Sequence, residues 1–205
     1  GRVVGGGACG STSRRRAARP TPSRAGVGGC LGRGTARRTD APTAVAGFER
    51  AIALDSGFAL AWAQLALTRQ SFSSAGITPR EQIQRSKGDA ERALALQPTL
   101  PTAYFALGQY YIRLGDNDRA LAEYRRGLEV APNNMRLLIG TVEVDLRGGR
   151  LERAITLSRK LGLLDPLSPE PLWPEAAALL WSHRLPEALA LVDRALVFDS
   201  LGSGW

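Results

Sequence analysis

One histidine, one methionine and two cysteines occur in 205 residues, and this scarcity removes most metal and nucleophile chemistry before any fold is considered. Both cysteines, Cys9 and Cys30, lie among Gly and Arg with no His, Asp or second Cys pair nearby to complete a metal site or a thiol catalyst. The remainder has no cysteine, which fits a reducing, cytoplasmic compartment and gives no sign of a disulfide scaffold. No uninterrupted apolar run approaches the roughly 20 residues needed to span a bilayer, so no membrane insertion is expected. The basic N-terminus also lacks the apolar core of a signal peptide. No Gly-rich loop followed by Lys-Ser or Lys-Thr is present to cradle a phosphate.

Acidic residues are missing from one region altogether. Residues 1–39 hold nine arginines (2, 14, 15, 16, 19, 24, 33, 37 and 38), no Asp or Glu, and ten of the 23 glycines. This tail carries +9 of a whole-chain charge of +8, so the rest nets −1 and the pI near 10.4 belongs to the tail alone. With no periodic apolar pattern, it is expected to be disordered. Its Arg, Gly, Ala, Pro and Ser content also matches GC-rich DNA read out of frame. The chain opens on Gly1 rather than Met, as a fragment or a processed chain would.

What is present in quantity is repetition. Pro98, Pro132, Pro166 and Ser200 are 34 residues apart, and so are Ser86, Ala120, Ala154 and Ala188. Tyr104, Leu138 and Leu172 form a further column, and a shift of 42 instead of 34 brings in Trp62, Ala44, Phe48 and Ala51. Within a unit, Tyr104, Leu107, Tyr111 and Leu114 recur at helical spacing, and Ala120, Leu121, Tyr124 and Leu128 do so again. Gly115 is placed to end the first helix and Asp116 to cap the second. Small residues at 108, 120 and 127 allow the pair to approach closely. Helices are predicted at 41–54, 58–72, 79–96, 101–114, 117–130, 135–147, 151–163, 170–183 and 186–198. Thr78, Pro79 and Glu81 form a capping box for the third, and Pro186 with Glu187 marks the start of the last.

The segment Pro101 to Pro132 resembles the tetratricopeptide repeat: Tyr104, Leu107, Gly108, Tyr111, Ala120, Tyr124 and Pro132 stand at that family's seven signature positions. Flanking units depart from it at Thr141, Asp145, Ser158 and Glu175. The resemblance covers about 40–200 and implies an all-α fold, a right-handed α-solenoid of antiparallel helix hairpins. The expected organisation is a tail at 1–39, an array at 40–200 and a C-terminal end at 201–205. Within the array, a leading helix at 41–54 precedes units at about 57–98, 99–132, 133–166 and 167–200. The long first unit and the phrases at 48–55 and 91–96 resemble the repeat regions of bacterial signalling proteins.

Such arrays line a concave face with the first helix of each unit, and short peptides or partner helices lie against it. By that register the inner positions are Leu60, Ala63, Leu67, Gln70, Thr102, Phe105, Gln109, Ile112, Arg113, Arg136, Ile139, Glu143, Arg147, Trp173, Ala177 and Trp181. Phe105, Gln109, Ile112, Arg113, Arg136, Ile139, Glu143, Arg147, Trp173 and Trp181 constitute the candidate peptide groove. Phe105, Ile139 and Trp173 would serve as apolar anchors or, alternatively, pack against a neighbouring helix. Arg113, Arg136 and Arg147 beside an apolar strip imply an acidic, amphipathic ligand.

Catalytic candidates are bland by comparison. His183 falls near a predicted helix end, where a basic group suits the dipole. Asp116 and Asp118 open a helix, and Glu143 and Asp145, two apart, point to different faces. No catalytic residue, metal site or cofactor is therefore expected, and the function implied is a protein-interaction scaffold in a regulatory segment of a larger bacterial signalling protein. Two alternatives stand beside it. The Arg-rich tail could bind nucleic acid through salt-sensitive contacts, against which count its lack of aromatics and of an adjoining folded motif. The repeats could also recruit substrates for an enzyme domain outside this chain. The last hairpin has no polar capping helix after it, so either more chain is expected to follow, or its outer face meets a partner or another copy in self-association.

Overall fold

The computed structural model describes residues 41–71 and 80–202. Among them are nine α-helices and no strand: α1 Ala41–Leu54, α2 Ala59–Ser71, α3 Arg80–Leu96, α4 Pro101–Arg113, α5 Asn117–Val130, α6 Met135–Arg147, α7 Leu151–Leu164, α8 Leu172–Trp181 and α9 Leu185–Gly202. The expected tail at 1–39, with both cysteines, lies outside the described residues, as do Thr78, Pro79 and the loop at 73–77.

Helix boundaries follow from local chemistry. Pro101 opens α4 at a position where a missing N–H is harmless. Asp116 caps α5, its carboxylate accepting from the Arg119 amide at 3.0 Å, and Asn134 caps α6 by accepting from the Leu137 amide at 3.2 Å. Helices α4, α6 and α8 end in one motif repeated at the 34-residue register. Gly115, Gly149 and His183 adopt φ of 76°, 69° and 60°. In each, the next residue's amide reaches back to a carbonyl in the last turn: Asp116 to Tyr111 at 3.0 Å, Arg150 to Asp145 at 2.8 Å and Arg184 to Leu179 at 2.8 Å. His183 is thus past the end of α8, in the slot that glycine fills in the two preceding units.

The helices pair in chain order. α2 with α3, α4 with α5, α6 with α7 and α8 with α9 form hairpins, each second helix also meets the first helix of the next hairpin, and α2, α4, α6 and α8 touch in succession. The described array is therefore an α-solenoid, with α2, α4, α6 and α8 sharing one side. Its core changes character along the chain. Alanines 59, 63, 66, 90, 93, 103 and 106 build the seam between α2, α3 and α4. Tyr104, Leu121, Tyr124 and Leu137 fill the next one, and Leu138, Val142, Ile155, Leu161 and Leu179 the one after.

Candidate functional site

The side formed by α4, α6 and α8 carries side chains in four columns at the 34-residue spacing: Phe105, Ile139 and Trp173; Gln109, Glu143 and Ala177; Ile112, Leu146 and Leu180; Arg113, Arg147 and Trp181. The last column is solvent-exposed in all three helices. Exposure in the first rises toward the C-terminus: Phe105 and Ile139 are half-buried and packed on the core, whereas Trp173 is 44% exposed.

At the centre of this side the structure gathers five of the expected residues around one that sequence treats as core. Tyr124, from α5, passes its ring between Gly108 of α4 and Gly140 of α6. A Cβ on Gly108 would stand 2.0 Å from the ring, and one on Gly140 would stand 2.7 Å from it. Phe105 stacks on this ring at 5.8 Å and 22°, and the Arg136 guanidinium lies over Phe105 at 5.9 Å. The Tyr124 hydroxyl is buried and has no hydrogen-bond partner. Gln109 acts on it electrostatically without reaching hydrogen-bond geometry, and Glu143 and Arg147 act with opposite signs. Burial and, after it, the Glu143 carboxylate push the phenol well above its ordinary value, so it remains a donor. Sequence counted Tyr124 as a repeat signature and as part of its helix's apolar stripe, not as part of the groove; the available signal was the pair of glycines on consecutive first helices.

Trp173 and Trp181 stand one hairpin further on, the latter 56% exposed. With Ala177 between them they form an i, i+4, i+8 stripe, flanked by Leu180, on an exposed side of α8.

Two expected inner positions are corrected. Ala63 and Gln70 are buried, because α4 packs directly over α2. The Gln70 amide donates to the Ala106 carbonyl at 3.0 Å and the Ser86 hydroxyl at 3.1 Å, so it ties helices together and meets no ligand. Phe105, Ile112 and Ile139 likewise share their surface between core and solvent. A depression of about 530 Å³ sits elsewhere, at the turns, lined by residues including Asp116, Asp118, Gly148 and Arg150. Its main charged groups are already engaged: Asp116 caps α5, and Arg150 holds the buried Asp145 at 2.6 Å. The described residues hold no group of three or more His, Cys, Asp or Glu fit for a metal ion, and no described helix is long and apolar enough to cross a membrane.

Residues 101–134 match the family model described as Tetratricopeptide repeat. This segment is a tetratricopeptide repeat. The chain is 30% identical over 108 residues to cellulose synthase operon protein C of Pseudomonas fluorescens (strain SBW25), a stretch covering 53% of this chain and 8% of that relative's length. The tetratricopeptide fold of the whole array is seen in its likeness to TTC0263, a thermophilic TPR protein of Thermus thermophilus, with a TM-score of 0.64 at 22% identity over 76% of this chain and 81% of that one. It is similar also to YrrB, described as a TPR protein with an unusual peptide-binding site, with a TM-score of 0.56 at 19% identity over 78% of each chain.

Proposed function

We propose that this array binds a segment of another polypeptide along the side formed by α4, α6 and α8. The supporting observation is the register: one side presents Phe105 and the exposed Arg113 on α4, the exposed Arg136 and Arg147 on α6, and the exposed Trp173 and Trp181 on α8. The solved structure described as having a peptide-binding site shares this fold. Placement within a larger bacterial signalling protein, in the cytoplasm, is our reading of the repeat phrases at 48–55 and 91–96, and the bacterial relative that matches the chain over only 8% of its own length is in keeping with it.

Selection from a random displayed-peptide library on the immobilised protein tests the binding role. Enriched peptides should bind equally well after deletion of residues 1–39 and about tenfold more weakly to Trp173→Glu, a typical cost for losing an anchor. Phe105→Ala is a poorer probe, because it also strips the stacking partner from Tyr124. Failure to enrich any peptide, or enrichment indifferent to Trp173→Glu and Arg136→Glu with helicity retained, would refute the proposal.

A further inference from the structure

The binding side has two chemically distinct ends. On α4 and α6, Arg113, Arg136 and Arg147 are exposed, against Glu143 as the one exposed carboxylate in the four columns. On α8 the members of the four columns are all apolar, Trp173, Ala177, Leu180 and Trp181, and the register mate of Arg136 is Glu170, an exposed carboxylate just before the helix. The exposure of Trp181 does not come from its place late in the array. Its register mates Arg113 and Arg147 are exposed although a further first helix packs beside each of theirs, so this column faces solvent wherever it occurs.

A tryptophan at such a position costs solubility without adding to the core, and its neighbour Ala177 leaves room between the two indoles. The basic half has its own built-in preference. Arg136 is already oriented over Phe105. Exposed guanidiniums favour carboxylates on the partner.

Resting on the binding role proposed above, we infer that the partner is a short polarised segment that lays acidic residues across α4 and α6 and seats bulky apolar side chains between Trp173 and Trp181 on α8. Neighbouring helices lie about 8–10 Å apart, so an extended stretch of roughly six residues spans the three. The charged half sets orientation and encounter rate, and the indole slot supplies most of the residence time.

The test uses three synthetic peptides: a run of glutamates followed by a pair of phenylalanines, the same peptide with lysines for glutamates, and the glutamate peptide with serines for phenylalanines. The first should bind with an affinity that falls as salt rises. The lysine and serine versions should each bind about tenfold more weakly or worse. Arg147→Glu should remove much of the salt dependence, and Trp181→Ser should weaken binding while leaving the salt slope in place. A nitroxide on the phenylalanine end should quench tryptophan emission strongly, and one on the glutamate end should not; the difference should vanish in Trp173→Phe/Trp181→Phe. Equal binding of the lysine peptide, equal quenching from both ends, or indifference to Trp181→Ser overturns the polarised segment. If the displayed library yields groove binders lacking this acidic–apolar arrangement, the inference fails and the binding role stands. If the library yields none, both fail.

Discussion

His183 occupies a left-handed backbone conformation that an L side chain adopts at a cost of roughly 1–2 kcal/mol, while Gly115 and Gly149 meet the same requirement freely. Replacing His183 by Gly should therefore stabilise the protein by about 0.5–1 kcal/mol, less than the strain relieved because glycine also loosens the unfolded chain. A higher midpoint in urea denaturation would show it; an unchanged or lower midpoint would mean that the imidazole does something the backbone does not reveal. Gly108 demands the opposite treatment. An added methyl would overlap the Tyr124 ring, which cannot retreat because Phe105 stacks on it and Gly140 backs it. Gly108→Ala should cost about 1–3 kcal/mol as an overpacked core. Gly88→Ala, in the interior of α3 with nothing within 4 Å, should gain roughly 1 kcal/mol from helix propensity alone. Thermal melts of the two variants should move in opposite directions.

Between elements, α1, α2 and α3 are joined by a polar knot. Arg69 of α2 is buried, bonded to Gln82 at 2.6 Å and Glu49 at 2.8 Å, with its Nε 2.8 Å from Asp89 as an ion pair outside hydrogen-bond angles. Burial pushes the Asp89 carboxyl up, against the pull of Arg69. A carboxyl raised in the folded state contributes stability that is full below its ordinary value of 3.8 and is lost as pH rises through the folded value. The stability of the native protein relative to Asp89→Asn should thus decline from acidic toward neutral pH, and chemical denaturation at several pH values would detect a slope of the wrong sign. Arg69→Met should cost about 3–5 kcal/mol by leaving Asp89 unpaired, and Arg69→Met/Asp89→Leu should recover most of it. A single substitution costing under about 1 kcal/mol would mean that water reaches the knot. None of this network was legible in the sequence. Helix positions were, because apolar spacing, Pro101, Gly115 and Asp116 are local signals. The arginines at 113, 136 and 147 were also placed on the exposed side, since the 34-residue register fixes the face. Gln70 was misplaced because that register breaks at the 42-residue unit, and burial there depends on how closely α4 approaches α2. Asp145 and Ser158 look like surface residues by type, yet both are fully buried where the neighbouring unit has tyrosines.

Across the array each hairpin is completed by the next, so stability is a sum of neighbour contacts and the two ends of the described helices are not equivalent. Leu121 of α5 and Ile155 of α7, at one register position, are 5% and 2% exposed because α6 and α8 cover them. Leu189 of α9 holds the same position and is 60% exposed, and Leu196 and Val197 beyond it are exposed as well. Helix α9 is held chiefly through Ala188 and Ala195 on its other side. Amide exchange should consequently run fastest in α9 and slowest in α4 to α6, where both faces are covered. Introducing a charge at the shared position separates local burial from chemistry. Ile155→Lys should cost more than about 4 kcal/mol, as an unpaired charge in a closed core, whereas Leu189→Lys should stay within about 0.5 kcal/mol. If Leu189→Lys instead proves as damaging as Ile155→Lys, this outer face is covered in solution. Sedimentation would then distinguish a second copy, whose dissociation follows dilution, from contacts within the same chain, which do not depend on concentration.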